Sequence, residues 1–385
     1  MPQVLIIGAG IGGTAAALAL DKAGLAVAVC ESHPDSGADI GAFLTLASNG
    51  MLALGQLDAA RAVAEVGFAL TSMRVVDDTG AELATVPLGE HDNPLTRFRC
   101  LRRAELAAAL RSEAVRRGIP LWHGRRLDSV DEDADGVTAR FADGSGERGE
   151  LIVGADGINS VVRSLIDPAA DPPRYAGQRV FYGYTTKAAP PSAPERIDMV
   201  RGSSAAFGYA VSPAGETYWF ARVPGPELSA AELALPPAHW RAELVPLLRR
   251  DHTAAADIVA ATDERLLVTN AQDVSTVRHW HTERMLLLGD AAHAASPATG
   301  QGASMALEDA VVLGKALRDR ATTEKAVETY ERLRRPRVED NVAASARITA
   351  GRTTGQPRPA PAQPRPSMRD DVELMRQLDW NSQLG

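Results

Sequence analysis

The sequence predicts an α/β fold with a parallel sheet covered by helices, an inserted β-rich domain and a helical C-terminal tail. Residues 4–31 alternate a short apolar run, an alanine-rich stretch and a second apolar run, which is the pattern of a βαβ unit. Two further short apolar runs, each stopped by glycine, recur far along the chain. The stretches between them are rich in turn residues and short β-like runs.

The N-terminal unit is the clearest element. Residues 4–7 predict a strand, and residues 14–23 predict a helix because alanine has high helix propensity. Gly24 marks the end of that helix, and residues 26–30 predict a second strand. Two strands joined by a crossover helix are parallel, so this unit predicts a parallel sheet.

The turn inside this unit has the spacing of a dinucleotide-binding loop, Gly8-Ala-Gly10-Ile-Gly12-Gly13. We expect Gly8 to permit the tight turn, Gly10 to let a pyrophosphate approach the backbone, and Gly13 to allow close helix packing. The helix N-terminus offers unpaired N–H groups to phosphate. Glu31, just after the second strand, is placed to bind a ribose. Alone, this unit predicts a dinucleotide and does not distinguish NAD from FAD.

Two later apolar runs end in the same way. Residues 151–153 lead into Gly154-Ala-Asp156, and residues 285–288 lead into Gly289-Asp290. If these runs are parallel strands of the same sheet, Glu31, Asp156 and Asp290 meet at its carboxyl edge, where α/β sheets bind ligands.

The remaining stretches set the domain organisation. We predict a discontinuous cofactor-binding domain of residues 1–70, 100–174 and 277–350, and a mostly antiparallel substrate-binding domain of residues 71–99 and 175–276. Pro336 should kink or interrupt the helix over residues 324–349. Residues 351–367 form a proline-rich linker, and residues 368–385 contain a C-terminal helix that docks back.

Composition excludes several classes of partner. The formal charge of −8 disfavours nucleic acid and anionic membranes. No apolar run is long enough to span a membrane, and the N-terminus lacks the basic leader of a signal peptide. Two cysteines are too few for a disulfide framework and are not spaced as metal ligands, so we expect a cytoplasmic protein without a bound metal. The oligomeric state is not indicated.

Two motifs carry a resemblance to a known family. Gly154-Ala-Asp156-Gly157-Ile-Asn-Ser160-Val-Val-Arg163 and Leu288-Gly289-Asp290-Ala-Ala-His293-Ala-Ala-Ser-Pro297-Ala-Thr-Gly300-Gln-Gly302 resemble the DG and GD motifs of the class A, p-hydroxybenzoate hydroxylase-like flavoprotein monooxygenases. The resemblance covers about residues 1–350 and is strongest in the three motifs. It implies a Rossmann-like domain with non-covalently bound FAD.

The resemblance also implies roles for particular residues. Asp290 would bind the ribityl chain of FAD, and Asp156 would shape the cofactor site and the approach of NAD(P)H. The backbone at Pro297, Gly300 and Gly302 would approach the flavin ring, and the helix opening near Ala303 would direct its positive end at it. Arg103 matches a cofactor-contacting arginine, although a solvated helix face explains it equally well. The chain departs from the family at Ser304, where many members have asparagine, and at Gly41-Ala-Phe43, which lacks an arginine that some members carry.

The implied activity is that of a single-component hydroxylase. In such enzymes NADPH or NADH reduces the flavin, and O2 adds to it as a C4a-hydroperoxide. The hydroperoxide passes one oxygen to an electron-rich aromatic, indolic or polyketide-like small molecule, often in secondary metabolism. The alternatives are a halogenase or reductase with a related FAD domain, and a non-catalytic flavin- or ligand-binding protein. No WxWxIP stretch of the halogenase type is present.

The candidate substrate residues are aromatic side chains of the inserted domain, namely Tyr184, Phe207, Tyr209 and Trp219. Core packing of that domain explains them equally well. We assign no catalytic residue. His293 is expected to be structural, Cys100 to be an unreactive buried thiol, and the basic cluster Arg332, Arg334, Arg335 and Arg337 to be solvated.

Overall fold

The computed structural model describes residues 3–34, 41–89, 93–274, 276–353 and 368–385. Eighteen strands lie within these ranges, β1 to β18 in chain order: Val4–Ile7, Val27–Cys30, Phe43–Leu46, Phe68–Leu70, Ser72–Asp77, Glu82–Pro87, Phe98–Arg102, Leu121–Trp122, Leu127–Asp133, Gly136–Phe141, Gly146–Gly149, Leu151–Gly154, Arg174–Thr185, Arg196–Arg201, Ala206–Val211, Thr217–Pro224, Leu266–Asp273 and Met285–Leu287. The same ranges hold twelve helices, α1 to α12: Ile11–Lys22, Ser48–Gln56, Ala60–Ala64, Arg103–Arg116, Val161–Ile166, Ala230–Leu233, Pro237–Leu248, Ala255–Ala260, Asp290–His293, Gly302–Asp319, Thr323–Thr353 and Met368–Leu378.

The first of the two large sheets has five strands, all parallel. Its strand order is β18-β12-β1-β2-β8, and every pairing is parallel. Its central strands are apolar throughout because helices cover a parallel sheet on its faces. The four predicted parallel strands are therefore confirmed. Helix α1 begins at Ile11, three residues before the predicted start, and so includes Gly12 and Gly13 in its first turn.

The second large sheet has seven strands. Its order is β17-β13-β16-β15-β14-β5-β6, and its pairings are antiparallel except that of β14 with β5. Successive side chains of a strand point to opposite faces, so the sheet has two different surfaces. One surface packs under helices α7 and α8 around Trp219 and Trp240. The other carries Tyr184 and Tyr218 and packs against the small sheet β3-β7-β4 around Phe43.

The C-terminal region is helical, as predicted. Helix α11 runs from Thr323 to Thr353 through Pro336, so Pro336 does not interrupt this helix, and a kink there stays a prediction. Proline in a helix interior costs about 3 kcal/mol, and the packing of α11 against α10 offsets that cost. Helix α12, Met368–Leu378, lies within the C-terminal segment in which a helix was predicted. Residues 354–367 lie outside the described residues, so the proline-rich linker stays a prediction, as do the domain boundaries.

The C-terminal tail docks on α10 mainly through its backbone. Lys315 of α10 is fully buried, and its Nζ donates to the carbonyl oxygens of Gln377 at 2.8 Å and Asp379 at 2.5 Å. Arg320 donates to the carbonyl oxygen of Leu384 at 3.0 Å. The ring of Trp380 lies under the Arg318 guanidinium, 5.1 Å from its centroid. Cations at the C-terminus of α12 satisfy carbonyl groups that the helix leaves unpaired.

The two cysteines are buried free thiols. Burial raises the pKa of the Cys30 thiol to about 12, and it raises the pKa of Cys100 as well. Neither thiol is therefore a nucleophile at neutral pH, in agreement with the unreactive role expected for Cys100. Within the described ranges, none of the helices has both the length and the apolar character needed to cross a membrane. The cytoplasmic location stays a prediction.

Candidate cofactor and substrate site

The glycine loop follows β1 and leads into α1. Gly8 has φ of +104°, and a Cβ there would lie 2.5 Å from the carbonyl oxygen of Ala155. A Cβ on Gly13 would lie 2.0 Å from the carbonyl oxygen of Gly8. Gly10 differs because its Cβ would meet nothing within 4 Å. Gly8 and Gly13 are thus required by packing within the chain, whereas Gly10 borders open space at the start of α1.

The N-terminus of α1 is suited to an anion. Its N-cap is Gly10, and no side chain caps its free N–H groups. The helix dipole and these unpaired donors together favour a phosphate in this position.

Glu31 lies beside the loop at the end of β2. Its carboxylate accepts the backbone N–H of Ala9 at 2.7 Å and that of His33 at 2.8 Å. Burial alone would raise the pKa of Glu31, but these hydrogen bonds more than offset it and hold the pKa below its usual value. The carboxylate is therefore ionised at neutral pH and has lone pairs left for a ribose hydroxyl.

The carboxyl ends of the parallel strands meet around this loop. Ala155 N–H donates to the carbonyl oxygen of Ile7 at 2.9 Å, and Leu288 N–H donates to that of Gly154 at 2.9 Å. A Cβ on Gly12 would lie 3.0 Å from a side-chain carbon of Leu288. The structure therefore brings the three sequence motifs together at one edge of the sheet.

Asp156 lies at this edge but is occupied in capping α5. Its carboxylate accepts the Ser160 hydroxyl at 2.5 Å and the backbone N–H groups of Val161 at 2.7 Å and Val162 at 3.2 Å. Burial raises the pKa of Asp156 in spite of these bonds. Its evident task is to fix the turn after β12, so any influence on the cofactor runs through that turn.

Asp290 and the turn of residues 297–303 adjoin the glycine loop, and we call them, together with residues 8–13 and Glu31, the cofactor cradle. Asp290 follows Gly289, whose φ is +64°, and a Cβ on Gly302 would lie 3.9 Å from an Asp290 carboxylate oxygen. Helix α10 begins at Gly302, one residue before the predicted start near Ala303, and its N-cap Gln301 makes no side-chain cap. A second uncapped helix N-terminus therefore lies beside Asp290. Pro297 and Gly300 are exposed in this turn.

Arg103 is the first residue of α4, and its side chain is exposed. Its backbone N–H donates to the carbonyl oxygen of Ala42 at 2.9 Å. Its charge acts on the phenol of Tyr182. The side chain is thus close to the face of the seven-stranded sheet that carries Tyr182, and its contact with a cofactor stays a prediction.

Ser304 departs from the family pattern for a packing reason. It is fully buried, and its hydroxyl accepts the backbone N–H of Ala47 at 3.3 Å. A Cβ on Gly50 of α2 would lie 2.7 Å from that hydroxyl. The small serine side chain is what allows α10 and α2 to approach here.

A buried charge network behind the cradle was missed from sequence. His293 is buried, and its Nε2 lies 2.6 Å from an Asp309 oxygen, which supports the structural role expected for it. Arg334 is fully buried and pairs with Glu308 and Asp309, each at 2.7 Å, so the expectation that it is solvated is wrong. Burial raises the pKa of Asp309, but His293 and Arg334 more than reverse this effect. The signal that could have indicated buried partners is the pair of adjacent acids, Glu308 and Asp309, within the largely buried helix α10.

The four candidate substrate residues lie on different faces of the seven-stranded sheet. Tyr184 lies on the face toward Phe43, and its hydroxyl donates to the carbonyl oxygen of Gly41 at 2.7 Å. Phe207, Tyr209 and Trp219 lie on the opposite face, in the core beneath α7 and α8. The alternation along β16 accounts for this, because Trp219 alternates with its neighbours Tyr218 and Phe220. Core packing thus explains these three residues.

An aromatic cluster that we define as Phe43, Tyr182, Tyr184, Tyr218 and Phe220 occupies the face toward the cradle. Phe43 lies edge-on to Tyr182 and Tyr184, with ring centroids 6.1 and 6.2 Å apart. Thr45, on the same strand as Phe43, lies 3.4 Å from where a Cβ on Gly300 would be. The cluster therefore adjoins the turn that leads into α10.

A cavity of about 590 Å³ lies elsewhere in the molecule. Its walls include Val200, Tyr209 and Ala256, which belong to the helix-covered side of the seven-stranded sheet. It is therefore separate from the cradle and the aromatic cluster.

The fold and the cradle together define a dinucleotide-binding protein with an aromatic cluster beside its cofactor site. Comparison with known proteins narrows this class. The chain belongs to the FAD-binding domain family, whose model matches residues 1–345. It is an FAD-dependent monooxygenase.

Two relatives and one solved structure support this assignment. The chain is 32% identical over 352 residues to an aurachin C monooxygenase/isomerase from Stigmatella aurantiaca, covering 90% of this chain and 88% of that protein. It is 32% identical over 358 residues to the 3-amino-4-hydroxybenzoate 2-monooxygenase PtmB3 from Streptomyces platensis, covering 88% and 85%. Klebsiella pneumoniae HpxO complexed with FAD and uric acid superposes with a TM-score of 0.81 at 27% identity, covering 98% of this chain and 93% of that one.

The residues present fit FAD. Open space at Gly10 adjoins an uncapped helix N-terminus, as a pyrophosphate requires. An ionised carboxylate at Glu31 suits a ribose, and a second carboxylate and a second uncapped N-terminus lie across the cradle at Asp290 and Gly302.

Proposed function

We propose that this enzyme uses NADPH or NADH and O2 to hydroxylate an electron-rich aromatic or heteroaromatic small molecule. The observation that carries the proposal is the aromatic cluster, which adjoins the turn into α10 at the cofactor cradle. Aromatic side chains recognise aromatic ligands through edge and face contacts. The names of the relatives support this class, since one acts on 3-amino-4-hydroxybenzoate and HpxO was solved with uric acid.

The cofactor would be held by groups from both sides of the cradle. We assign the pyrophosphate to the N-terminus of α1 at Gly10, the adenosine ribose to Glu31 and the ribityl chain to Asp290. The N-terminus of α10 at Gly302 and Ala303 would face the flavin ring, where a positive dipole end stabilises negative charge. When bound, FAD supplies the redox chemistry that takes electrons from NAD(P)H and places one atom of O2 on the substrate.

The task of the aromatic cluster would be to orient the substrate ring and exclude water. Its members pack at ring-centroid distances of 4.9 to 6.2 Å, for example 4.9 Å between Tyr184 and Tyr218. Burial raises the pKa of Tyr182, so its phenol is neutral and can donate a hydrogen bond to a substrate oxygen. Excluding water from the substrate site limits the wasteful release of hydrogen peroxide.

We assign no fixed catalytic base. His293, the histidine of the GD motif, is engaged with Asp309. In an electron-rich ring the driving force for oxygen transfer comes from the substrate, so the protein's part is positioning and hydrogen bonding.

The test is turnover with isotopically labelled O2 and a screen of phenolic, indolic and polyketide-like compounds. A true substrate should raise NAD(P)H consumption and yield a hydroxylated product that carries labelled oxygen, with hydrogen peroxide as a minor product. Label arriving from water, or dehydrogenation without oxygen insertion, would rule out the hydroxylase. A halogenase would need halide for turnover, and a reductase would consume NAD(P)H without inserting oxygen.

A further inference from the structure

Arg222 is a buried cation with two unpaired nitrogen atoms. Only 5% of the residue is exposed, and its Nε and Nη1 find no hydrogen-bond partner among the residues that the structure describes. The residue lies on the central strand β16, with Val180 of β13 and Ala206 of β15 as its cross-strand neighbours. These neighbours are not polar, so the sheet itself offers nothing to the guanidinium.

Burying an arginine without a charged partner costs free energy, and comparison with Arg334 shows how such a charge is normally accommodated. Buried charges are normally paired, because removing an ion from water costs several kcal/mol. Arg334, which is fully buried, pairs with Glu308 and Asp309. Arg222 instead has a ring contact, with its guanidinium carbon 5.7 Å from the centroid of Phe220. Packing alone would be served better by an apolar residue, so this cation calls for a ligand.

The position of Arg222 places that ligand beside the aromatic cluster. Arg222 shares a face of β16 with Phe220 and Tyr218, because the three alternate along the strand. Its charge and that of Arg103 both act on the Tyr182 phenol, and Tyr182 packs edge-on to Phe43. Beside it on β15 is Ala206, whose side chain is a single methyl group.

We propose that Arg222 binds the carboxylate of an aromatic acid and so selects the substrate of this enzyme. A guanidinium matches a carboxylate in shape and charge, and the bond is strong where water is excluded. The ring of the acid would lie among the aromatic cluster, with its carboxylate directed at β16. This inference rests on the proposed hydroxylase function and names its substrate class.

Binding to the FAD-loaded enzyme tests the proposal without turnover. Salicylate, anthranilate, nicotinate and indole carboxylate would be titrated calorimetrically, each beside its neutral carboxamide. We expect at least one acid to bind about 30-fold or more tightly than its amide, and Arg222→Met to remove that preference. Arg179→Met is the matched control, because Arg179 lies on the neighbouring strand on the opposite face and pairs with Glu243. It should leave the preference unchanged.

A second measurement needs no ligand. If Arg222 is kept for binding, then Arg222→Met should raise the Tm of the FAD-loaded enzyme, whereas Arg334→Met should lower it by leaving two buried carboxylates unpaired. A lower Tm for Arg222→Met would indicate a structural role and overturn the proposal. Equal binding of acids and amides, or no binding of any acid in the set, would also overturn it. An acid that binds through Arg222 but is not hydroxylated would count against the proposed function alone.

Discussion

Gly10 is the residue at which cofactor binding and folding can be separated. Its φ of −71° is open to every residue, and its Cβ would touch nothing in the protein. Gly10→Val should therefore fold normally while its branched side chain fills the space assigned to the pyrophosphate. We expect FAD affinity to fall by about 100-fold, in line with the loss of charge-assisted hydrogen bonds. Fluorescence titration of the apoprotein with FAD measures this.

The matched control is Gly55→Val, since a Cβ on Gly55 of α2 also meets nothing within 4 Å. It should leave FAD affinity at the wild-type value. If Gly10→Val also bound FAD normally, the loop would not hold the phosphates.

Asp290 tests the other side of the cradle. Asp290→Ala should weaken FAD binding by about 10- to 100-fold, because a charge-assisted hydrogen bond contributes about 1.5 to 3 kcal/mol. Asp290→Asn keeps the shape without the charge and should fall between alanine and wild type. Equal affinity of all three proteins would remove the ribityl assignment.

Single residues also mark the limit of prediction from sequence. The glycine loop and Glu31 could be predicted because their chemistry depends on local spacing. Phe207 and Trp219 could not be distinguished from Tyr184, because which face of a strand meets the cofactor domain depends on tertiary packing. Arg222 gave no signal at all, since nothing local marks a cation as buried.

At the scale of elements, helix α4 ends in an ion cluster that should make its stability depend on pH. Glu113 is nearly buried and accepts hydrogen bonds from Arg116 at 2.7 Å and Arg117 at 2.7 Å, while Arg117 also donates to the carbonyl oxygen of Leu57 at 2.6 Å. Bonds from Arg116 and then Arg117 lower the pKa of Glu113 from 4.5 to about 2. The carboxylate therefore stabilises the fold above its unfolded pKa, and this contribution is lost as pH falls from 4.5 toward 2.

Urea unfolding of Glu113→Gln measures this contribution. We expect the variant to be less stable than wild type by about 1 to 2 kcal/mol at pH 7, with the difference shrinking below pH 4.5. Glu65→Gln serves as the control, because Glu65 and Arg61 form an exposed pair at 4.0 Å. A difference for Glu113→Gln that stayed constant with pH would show that the ion cluster is not its cause.

The elements differ in how well the sequence predicted them. Strands β1, β2, β12 and β18 were clear because a buried parallel strand is short and wholly apolar, and all but β2 end at or close to a glycine. The continuity of α11 through Pro336 could not be predicted, because proline has a low helix propensity. Only the packing of α11 against α10 makes the helix continuous.

At the scale of the whole molecule, the C-terminal tail joins the end of the chain to the cofactor domain. Lys315→Met should remove the donor that three backbone carbonyl groups share, at a cost of about 1 to 3 kcal/mol. We expect a lower Tm and faster hydrogen exchange over residues 372–384, with exchange in β1 and β2 unchanged. Wild-type protection of the tail would show that its other contacts suffice.

The way in which this tail is held bears on how the sequence can evolve. Lys315 and Arg320 bind main-chain oxygens, which every amino acid supplies. Homologues should therefore tolerate substitution at many tail positions while keeping Lys315 of α10 and Arg320 at its C-terminal end, provided that the tail still ends its helix at the same place. Sequence drift in the last residues would then be a poor measure of structural divergence, and covariation between the tail and α10 should be weak although the two are in contact.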